Sequence, residues 1–469
     1  MLFERFEDAG LSQYSYGAGC PAAGALAIVD PRRDVNAYID FADHHGVEIR
    51  YVLETHIHAD FASGARELGE RTGAELYLSR FDTGERYEVV FDHQPLDHGD
   101  SIEMGSVKLT ALHTPGHTPE HLSYLVFDMV RSSDTPQIML SGDFLFVGSV
   151  GRPDLLGEDA KLGLAKQMFH SVREGLKGLP GGLEVHPGHG AGSMCGAGMS
   201  ARPLSTLGFE RVANPYLDPE LTEERFVEQL LASSPPFPPY YRRMKELNAT
   251  GAPTLKRLAA IEPLPPERFQ SLNQNGHIVV DVRDPEAFGR GHVPDAFGIG
   301  VGQGLSTWAA WAVPYDAPLL LVVANPAWIE GAVHALARVG LDDVRGYLNG
   351  GMEAWAEAGF HAETLSQIDV TDLSNRLAGG NGPALLDVRS DGEWAAGHAA
   401  GATHIMASHL ADRLDEVPVG EDGLAVMCGT GYRSTVASSI LQRSGFADVT
   451  NVRGGMSAWM GAGLPTTTD

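Results

Sequence analysis

The chain has 469 residues, of which 43% are hydrophobic and 20% are charged, and its formal net charge is −27. Because this length exceeds one ordinary hydrophobic core, we expect two to four domains. The negative charge disfavours a nucleic-acid partner, since polyanions bind clustered Lys and Arg and no basic stripe is present. No apolar run reaches the roughly 20 residues that span a bilayer.

The N-terminus and the cysteines indicate the compartment. Residues 1–10, MLFERFEDAG, lack the basic and apolar regions of a signal peptide. The three cysteines, Cys20, Cys195 and Cys428, are too few and too scattered for a disulfide framework. We therefore expect a cytoplasmic protein with no membrane partner, in which a cysteine is more informative as a nucleophile than as a cross-link.

The first part of the chain has the pattern of an α/β domain. Up to about residue 200, short apolar runs alternate with polar loops rich in Gly and His, which is typical of strands whose ends carry the chemistry. A helical, proline-interrupted stretch follows over roughly 201–250, with ELTEERFVEQLLAS as its clearest amphipathic segment.

The rest of the chain contains an internal repeat. DVRDPEAFGRGHVPDA (281–296) is similar to DVRSDGEWAAGHAAGA (387–402), and NGGMEAWAEAG (349–359) is similar to RGGMSAWMGAG (453–463). Matches that keep their order and nearly their spacing indicate two copies of one α/β unit. The predicted domains are therefore these three: 1–250, 255–362 and 366–469.

Four loops, each following an apolar run, contain histidine or aspartate. They are THIHADF (55–61), TPGHT (114–118), SGD (141–143) and PGHG (187–190). Such loops converge at one edge of a sheet, and neutral imidazole is the usual ligand of first-row metals. A lone His-x-His would be read more simply as a surface loop, but four loops in this order predict a metal site.

These residues resemble the metallo-β-lactamase superfamily, whose pattern is H-x-H-x-D-H, then the histidine of a TPGHT-like turn, an aspartate and a later histidine. The resemblance covers about the first 245 residues and implies an αββα sandwich. Phe61 stands where the pattern has its last histidine, which normally holds a second metal. A phenyl ring binds no metal, so a two-metal hydrolase is disfavoured.

Within the superfamily the chain looks most like the persulfide dioxygenases, on the T-H-x-H-A-D opening and on Gly142-Asp143 followed by GSVGRPDL (148–155). That family holds one iron by two histidines and one aspartate, which map here to His56, His117 and Asp143. The resemblance therefore implies one non-haem Fe(II) per chain and no nucleotide cofactor. It also implies that a thiol persulfide, of glutathione, coenzyme A or a similar thiol, reacts with dioxygen to give sulfite.

Further candidates surround this centre. Three residues are expected to orient ligands or bound water: His58, Asp60 and His189. Arg152 is expected to bind a carboxylate of the substrate thiol, or alternatively to be a structural turn arginine. Cys195 lies in a Gly-rich loop after His189 and is either a relay for sulfane sulfur or an inert, well-packed side chain. Cys20 is a weaker candidate of the same kind.

Cys428 follows LAVM (424–427), a predicted buried strand, and precedes the predicted helix TVASSILQRSG. A cysteine between a strand and a helix N-terminus lies in a field that favours anions, and Arg433 adds a positive charge. Glycines allow backbone N–H groups to surround the sulfur. The residues expected to bind substrate around it are Gly429, Thr430, Gly431, Tyr432 and Ser434. The alternative is a buried structural cysteine.

This loop resembles the active loop C-x-x-G-x-R-S of rhodaneses, and the DVR, GH and GGM motifs are further marks of that family. The resemblance implies two doubly wound α/β domains with Cys428 and Arg433 as catalytic residues. In the first copy Ala324 and Ala327 replace the cysteine and the second glycine, and no arginine follows. That copy cannot carry persulfide chemistry by this mechanism and is a spacer, an interface or a binding platform.

Three functions remain open. The leading hypothesis is oxidation of a persulfide to sulfite at iron, coupled to sulfur transfer through Cys428, so that sulfite and thiosulfate are interconverted. The alternatives are a glyoxalase II-like thioester hydrolase with an appended sulfurtransferase, and a non-enzymatic sulfur-trafficking scaffold. Family resemblance also predicts a homo-oligomer, without fixing its order.

Overall fold

The computed structural model describes residues 1–255, 261–380 and 382–469. The chain divides into two compact units. The first comprises Met1–Leu258 with Ala337–Gly340, and the second comprises Ala259–Leu336 with Leu341–Asp469. The predicted domain 255–362 includes residues 256–260, which lie outside the described residues. Within the described part of the chain, no helix combines the length and the apolar character needed to cross a membrane.

The first unit is built on two six-stranded sheets. The first sheet contains β1 (Leu2–Asp8), β2 (Gln13–Cys20), β3 (Ala25–Val29), β4 (Glu48–Leu53), β5 (Glu75–Ser79) and β6 (Gln94–Leu96), in that order. Strands β1, β2 and β3 pair antiparallel, whereas β3 to β6 pair parallel.

The second sheet has the order β14-β13-β10-β9-β8-β7. The strands from β7 onward are β7 (Ser101–Met104), β8 (Val107–His113), β9 (Leu122–Asp128), β10 (Ile138–Gly142), β11 (Leu145–Phe146), β12 (Ser149–Val150), β13 (Glu184–Pro187) and β14 (Ser205–Thr206). Strands β11 and β12 form a separate hairpin. Because β9 is antiparallel to both β8 and β10, and β13 is parallel to β10, strands β8, β10 and β13 end at one edge.

Helices flank the two sheets of the first unit and support one of its loops. They are α1 (Asn36–His45), α2 (Ala65–Thr72), α3 (Glu158–His170), α4 (Leu207–Ala213), α5 (Glu223–Ser233) and α6 (Tyr240–Thr250). One apolar cluster fills the space between the sheets, a second joins the first sheet to α1 and α2, and a third joins the second sheet to α3 and α5. The four layers confirm the predicted αββα sandwich.

The side chains of strand β9 contribute to two apolar clusters, one on each face of the second sheet. Its residues Leu122, Tyr124 and Val126 belong to the cluster between the sheets, and Leu125 and Phe127 belong to the cluster under the helices. Successive side chains of a strand point to opposite faces, so a strand covered on both sides is apolar throughout.

The second unit contains two copies of one parallel, doubly wound arrangement. The first copy has β15 (Glu262–Leu264), β16 (Ile278–Asp281), β17 (Phe297–Gly298), β18 (Leu319–Val322) and β19 (Val344–Leu348). Its helices are α7 (Pro266–Gln274), α8 (Pro285–Arg290), α9 (Leu305–Ala312), α10 (Ile329–Ala337) and α11 (Gly351–Glu357). The strand order is β15-β19-β18-β16-β17, with every pair parallel.

The second copy repeats this order as β20-β24-β23-β21-β22, again all parallel. Its strands are β20 (Ser366–Asp369), β21 (Ala384–Asp387), β22 (Thr403–His404), β23 (Leu424–Met427) and β24 (Val449–Arg453). Its helices are α12 (Val370–Ala378), α13 (Asp391–Ala395), α14 (Tyr432–Arg443) and α15 (Gly455–Gly461). The identical order confirms the predicted duplication.

Candidate metal centre and cysteine site

Three buried side chains meet where the strands of the first unit end. His56 follows β4, His117 lies in the loop after β8, and Asp143 directly follows β10. The Oδ2 atom of Asp143 is 3.4 Å from Nε2 of His117 and 3.9 Å from Nε2 of His56. The structure therefore brings together the two histidines and the aspartate that the family resemblance implied as metal ligands.

The second polar atom of each of these side chains is held by a neighbour. Nδ1 of His56 lies 2.9 Å from the hydroxyl of Thr55, and Nδ1 of His117 donates to the carbonyl of Arg152 at 2.9 Å. The Oδ1 atom of Asp143 accepts from Nδ1 of His189 at 2.7 Å. These contacts fix the orientation of each side chain and leave one atom of each pointing inward.

The inward atoms have no partner among the described residues. They are Nε2 of His56, Nε2 of His117 and Oδ2 of Asp143. Burial lowers the pKa of both histidines well below the usual value, so both rings are neutral and offer a lone pair. Unpaired buried polar atoms are costly and rare, whereas two imidazoles and a carboxylate form a known set of metal donors. The residues therefore fit a single metal ion.

Two of the residues expected to orient ligands form a chain behind Asp143. His189 joins Asp143 to Asp60, with Nδ1 2.7 Å from Asp143 and Nε2 2.7 Å from Asp60. Burial alone lowers the pKa of His189, but the two carboxylates outweigh it and raise the pKa to about 10. A protonated imidazole here donates from both nitrogens and holds the Asp143 carboxylate in place.

The third such residue, His58, is turned toward a different pair of acids. Its Nε2 atom is 2.9 Å from Glu54 and 3.1 Å from Asp30. Phe61 is fully buried, with its ring centroid 4.3 Å from that of His58. This side of the centre therefore presents a hydrocarbon ring and an imidazole whose Nε2 is engaged by two acids, while its Nδ1 has no partner among the described residues.

Sequence reasoning missed three residues of this site: Asp30, Glu54 and His121. Asp30 and Glu54 end the apolar runs of β3 and β4, a position that was visible in the sequence. His121 accepts from the backbone N–H of Asp143 at 3.0 Å and contacts the Thr114 hydroxyl at 2.9 Å. Its spacing of four residues from His117 was the available signal.

Helix α6 also contributes to this site, although the sequence predicted only that a helix is present. The amide of Asn248 donates to the carbonyls of His58 and Phe61 at 2.8 and 2.7 Å and accepts from the N–H of Ser63 at 2.8 Å. Buried Lys245 donates to the carbonyl of Ile57 at 2.9 Å. The helix thereby holds the loop that carries the first histidines.

Arg152 is buried, and protein groups engage its guanidinium. Nε and Nη2 donate to the Asp154 carboxylate at 2.6 and 2.8 Å, and Nη1 donates to the carbonyl of Met194 at 2.9 Å. These contacts leave few N–H donors of the guanidinium for a substrate carboxylate. Of the two alternatives stated for Arg152, they favour the structural turn arginine.

The two cysteines of the first unit differ in setting. Cys195 is buried with its sulfur 3.7 Å from the hydroxyl of Tyr241, and burial raises its pKa well above the usual value. Such a thiol stays protonated and is a weak nucleophile. Cys20 ends β2, whose residues are all buried, and a hydrogen bond with Ser106 lowers its pKa to about 7.

In the second unit, Cys428 is fully buried between β23 and α14. Its sulfur accepts from the N–H of Gly431 at 3.1 Å and from the hydroxyl of Ser434 at 3.4 Å. Gly455 has a φ of 52°, and a Cβ there would overlap the carbonyl of Cys428. The glycines of the GGM motif therefore let the chain pass directly behind the cysteine loop.

Other residues of the predicted loop have other partners. Both terminal nitrogens of Arg433 donate to the Glu393 carboxylate, at 2.6 and 2.7 Å, and Arg433 holds the pKa of Glu393 at about 2. The hydroxyl of Tyr432 donates to the carbonyl of Gly300 in the first copy at 2.8 Å. Thr430 is exposed. Sequence reasoning did not identify Glu393, which lies 40 residues before its partner.

Two family models match the chain. The model of the metallo-beta-lactamase superfamily matches residues 22–189, and that of the rhodanese-like domain matches residues 265–358 and 369–462. The metal centre lies within the first range and Cys428 lies within the last.

Known proteins support the same assignment. A solved metallo-beta-lactamase from Staphylococcus aureus subsp. aureus COL is 35% identical with a TM-score of 0.66, covering 74% of this chain and 99% of that chain. The hydroxyacylglutathione hydrolase of Anaeromyxobacter dehalogenans is 31% identical over 46% of this chain and 86% of its own length. The mitochondrial persulfide dioxygenase ETHE1 of Mus musculus is 27% identical over 49% of this chain and 79% of its own.

The alignment is less complete for other curated relatives. The chain spans 51%, 65% and 63% of the length of three relatives that are 30 to 32% identical. The chain thus belongs to the metallo-beta-lactamase superfamily, and two rhodanese-like domains follow its metallo-beta-lactamase domain.

Proposed function

We propose that the first unit catalyses the iron-dependent oxidation of a low-molecular-weight thiol persulfide to sulfite. The observation that carries this proposal is the set of three inward, unpaired atoms on His56, His117 and Asp143. Two imidazoles and one carboxylate are a donor set that would hold one non-haem iron and would leave it free to react with a persulfide and dioxygen. The resemblance to persulfide dioxygenases supports the same reaction.

Bound iron would supply the redox capacity and the adjacent coordination positions for the two substrates. The protein's own contribution is to hold the donors. Thr55 and the carbonyl of Arg152 keep the Nδ1 protons of His56 and His117 in place, and His189 orients Asp143. In the overall reaction a persulfide, dioxygen and water give a thiol, sulfite and two protons.

We further propose that Cys428 transfers sulfane sulfur. Its thiolate attacks the outer sulfur of a persulfide, the sulfur–sulfur bond breaks, and the carrier thiolate leaves with the electron pair. The N–H of Gly431 and the hydroxyl of Ser434 are placed to stabilise the negative sulfur. Passing this sulfur to sulfite would give thiosulfate, which joins the two proposed activities.

The primary test is oxygen uptake with glutathione persulfide on protein of measured iron content. Uptake that scales with iron, with sulfite or thiosulfate as product, is the expected result. An iron-loaded protein that consumes no oxygen with persulfides of glutathione or coenzyme A would refute the dioxygenase. Absence of any stoichiometric metal would instead favour the sulfur-trafficking scaffold.

A second candidate is hydrolysis of a glutathione thioester. The 31% identity to a hydroxyacylglutathione hydrolase favours it. Against it stand Phe61, which offers no metal ligand, and His58, whose Nε2 already contacts two acids. Anaerobic release of thiol from a glutathione thioester by zinc-loaded protein would support this candidate, and no release would exclude it.

A further inference from the structure

The two copies in the second unit provide an internal comparison between residues that serve the fold and residues that serve the chemistry. Each copy keeps an Asp–Arg pair at the end of a strand: Arg283 donates to Asp281 at 2.8 Å, and Arg389 donates to Asp387 at 2.7 Å. Each copy also keeps a histidine stacked on an aromatic ring, which is His292 on Phe288 and His398 on Trp394. Because the copy without a cysteine retains these contacts, they maintain the fold.

Glu393, unlike these residues, is present in only one of the two copies. It lies six residues after Asp387, and the equivalent position of the first copy, six residues after Asp281, is Ala287. The first copy has also lost the partner of this glutamate and the nucleophile, since Ile329 stands for Arg433 and Ala324 for Cys428. The glutamate is therefore absent where the arginine and the cysteine are absent, as expected for a residue that serves the chemistry.

Helix capping alone does not explain why a glutamate is present at position 393. Its carboxylate completes a capping box with Ser390 at the start of α13. In the first copy, however, helix α8 begins with Asp284 as its N-cap, which accepts from the N–H of Ala287 at 2.8 Å with no glutamate at that position. The turn and the helix form without the glutamate.

The contact between Glu393 and Arg433 is a bidentate ion pair beside the cysteine. Two parallel hydrogen bonds of 2.6 and 2.7 Å join the carboxylate to both terminal nitrogens of the guanidinium. Both groups lie beside the cysteine loop, since a Cβ at Gly429 would come within 2.9 Å of Nη2 of Arg433 and 3.6 Å of the Glu393 carboxylate. The Glu393 carboxylate is ionised at neutral pH, so the pair has no net charge next to the reactive sulfur.

We propose that Glu393 is a specificity-determining residue of the Cys428 site. By neutralising Arg433 it weakens the binding of dianions such as thiosulfate and sulfite relative to thiol persulfides, whose outer sulfur carries at most one negative charge. This inference rests on the proposed sulfur transfer.

Either donor loads the site through a balanced exchange. With thiosulfate, the Cys428 thiolate forms a bond to the outer sulfur and sulfite leaves with the electron pair; with a persulfide, the carrier thiolate leaves. Glu393 thus favours loading from a persulfide, and it also lets product thiosulfate dissociate.

The test is Glu393→Gln in the full chain. Glutamine keeps the length of the side chain and can still close a capping box, but it removes the charge. We expect the KM for thiosulfate to fall about tenfold and the KM for glutathione persulfide to change by less than about twofold. Glu416→Gln is the matched control, because Glu416 forms an exposed bidentate pair with Arg413 in the same domain and should leave both constants unchanged. An unchanged or raised KM for thiosulfate in Glu393→Gln overturns the proposal.

A second measurement, alkylation of the Cys428 thiol, does not require the protein to have sulfurtransferase activity. Anionic iodoacetate and neutral iodoacetamide alkylate a thiol by the same reaction, so the ratio of their rates at Cys428, quantified by peptide mass spectrometry, reports the local charge. Glu393→Gln should raise this ratio about tenfold, whereas Glu393→Asp, which keeps the charge, should leave it near the wild-type value. An equal rise in both variants, or in neither, contradicts the role of charge. If the wild-type protein has no sulfurtransferase activity, the proposed function is refuted. The ratio of alkylation rates would still test whether Glu393 sets the local charge at Cys428.

Discussion

Both oxygens of the Asp143 carboxylate have a defined role in the first unit. One oxygen of its buried carboxylate accepts from His189, and the other faces the two inward imidazole nitrogens. We expect Asp143→Ala to lower bound iron to less than about a tenth per chain and to abolish oxygen uptake, because two neutral imidazoles alone bind Fe(II) weakly. Iron analysis and an oxygen electrode measure both effects.

Sulfur transfer provides the control for that variant. Since Cys428 belongs to the second unit, Asp143→Ala should retain transfer from persulfide to an acceptor, and Cys428→Ser should show the opposite pattern. Loss of both activities in either variant, with an unchanged circular dichroism spectrum, would mean that the activities depend on one coupled site.

Phe61 is the residue at which a single substitution tests the number of metals. We expect Phe61→His to retain one metal ion per chain. Both nitrogens of His189 are engaged by Asp143 and Asp60, so the added imidazole finds no free His189 nitrogen with which to hold a second metal ion. Metal analysis after loading with excess zinc measures the number. Two metal ions per chain in Phe61→His, with one in Phe61→Leu, would contradict this expectation.

At this scale the sequence identified the loops that contain the inward donors and missed residues that hold other residues in place. The loops of His56, His117 and Asp143 were visible because histidines and an aspartate recur after apolar runs. The family resemblance selected these three as ligands, and the structure places them together. Glu393 was not visible, because surface glutamates are common and its partner follows 40 residues later. Asp30 does follow an apolar run, but its contacts with Thr55 and His58 exist only in the folded chain.

At the scale of elements, helix α6 holds the loop that contains His56 and His58. The side chain of Asn248 makes three hydrogen bonds to backbone groups of this loop. Because Asn248→Ala leaves buried backbone groups unpaired, we expect it to lower the free energy of unfolding by about 3 kcal/mol. Urea denaturation of the full chain measures the loss. Glu246→Ala, an exposed position of the same helix, should change the free energy of unfolding by less than about 0.5 kcal/mol.

The helices show what a sequence pattern can and cannot predict. The amphipathic segment ELTEERFVEQLLAS became α5, which begins after the N-cap Thr222, as its hydrophobic spacing indicated. Helix α14 begins at Tyr432, three residues before the predicted TVASSILQRSG, because the cysteine loop itself supplies the first turn. The role of α6 could not be predicted, since Asn248 contacts a loop 190 residues earlier in the chain.

The first turn of α14 also joins the two copies of the second unit. The hydroxyl of Tyr432 donates to the carbonyl of Gly300, and a Cβ at Gly304 would come within 3.0 Å of the Tyr432 ring. We expect Tyr432→Phe to lower the free energy of unfolding by about 1 kcal/mol and to reduce sulfurtransferase kcat, because the loop around Cys428 is held less firmly. Tyr347→Phe, a partly buried tyrosine of β19, is the control. An unchanged kcat in Tyr432→Phe would show that the first copy does not support the loop.

At the scale of the whole molecule, the duplication was the easiest feature to predict and the pairing of charges the hardest. Two pairs of similar segments in constant order suffice to indicate two copies, and both copies fold with the same strand order. For the first unit, short apolar runs between polar loops predicted an α/β class, and the αββα sandwich itself was implied by the family resemblance. Net charge, by contrast, says nothing about fold, but it does bear on how charged substrates approach.

The formal charge of −27 opposes the approach of anionic substrates to either site. Thiosulfate, sulfite and glutathione persulfide are all anions, and the field of the whole chain acts on them before any single side chain does. Salt shortens the reach of this field, from a Debye length of about 30 Å at 0.01 M to about 10 Å at 0.1 M. We therefore expect kcat/KM for thiosulfate to rise severalfold over this range of sodium chloride. The alkylation rate of Cys428 by neutral iodoacetamide should stay constant over the same range. If kcat/KM falls instead, a local positive field around Cys428 dominates the net charge, and the neutrality of the Glu393–Arg433 pair would no longer describe the site.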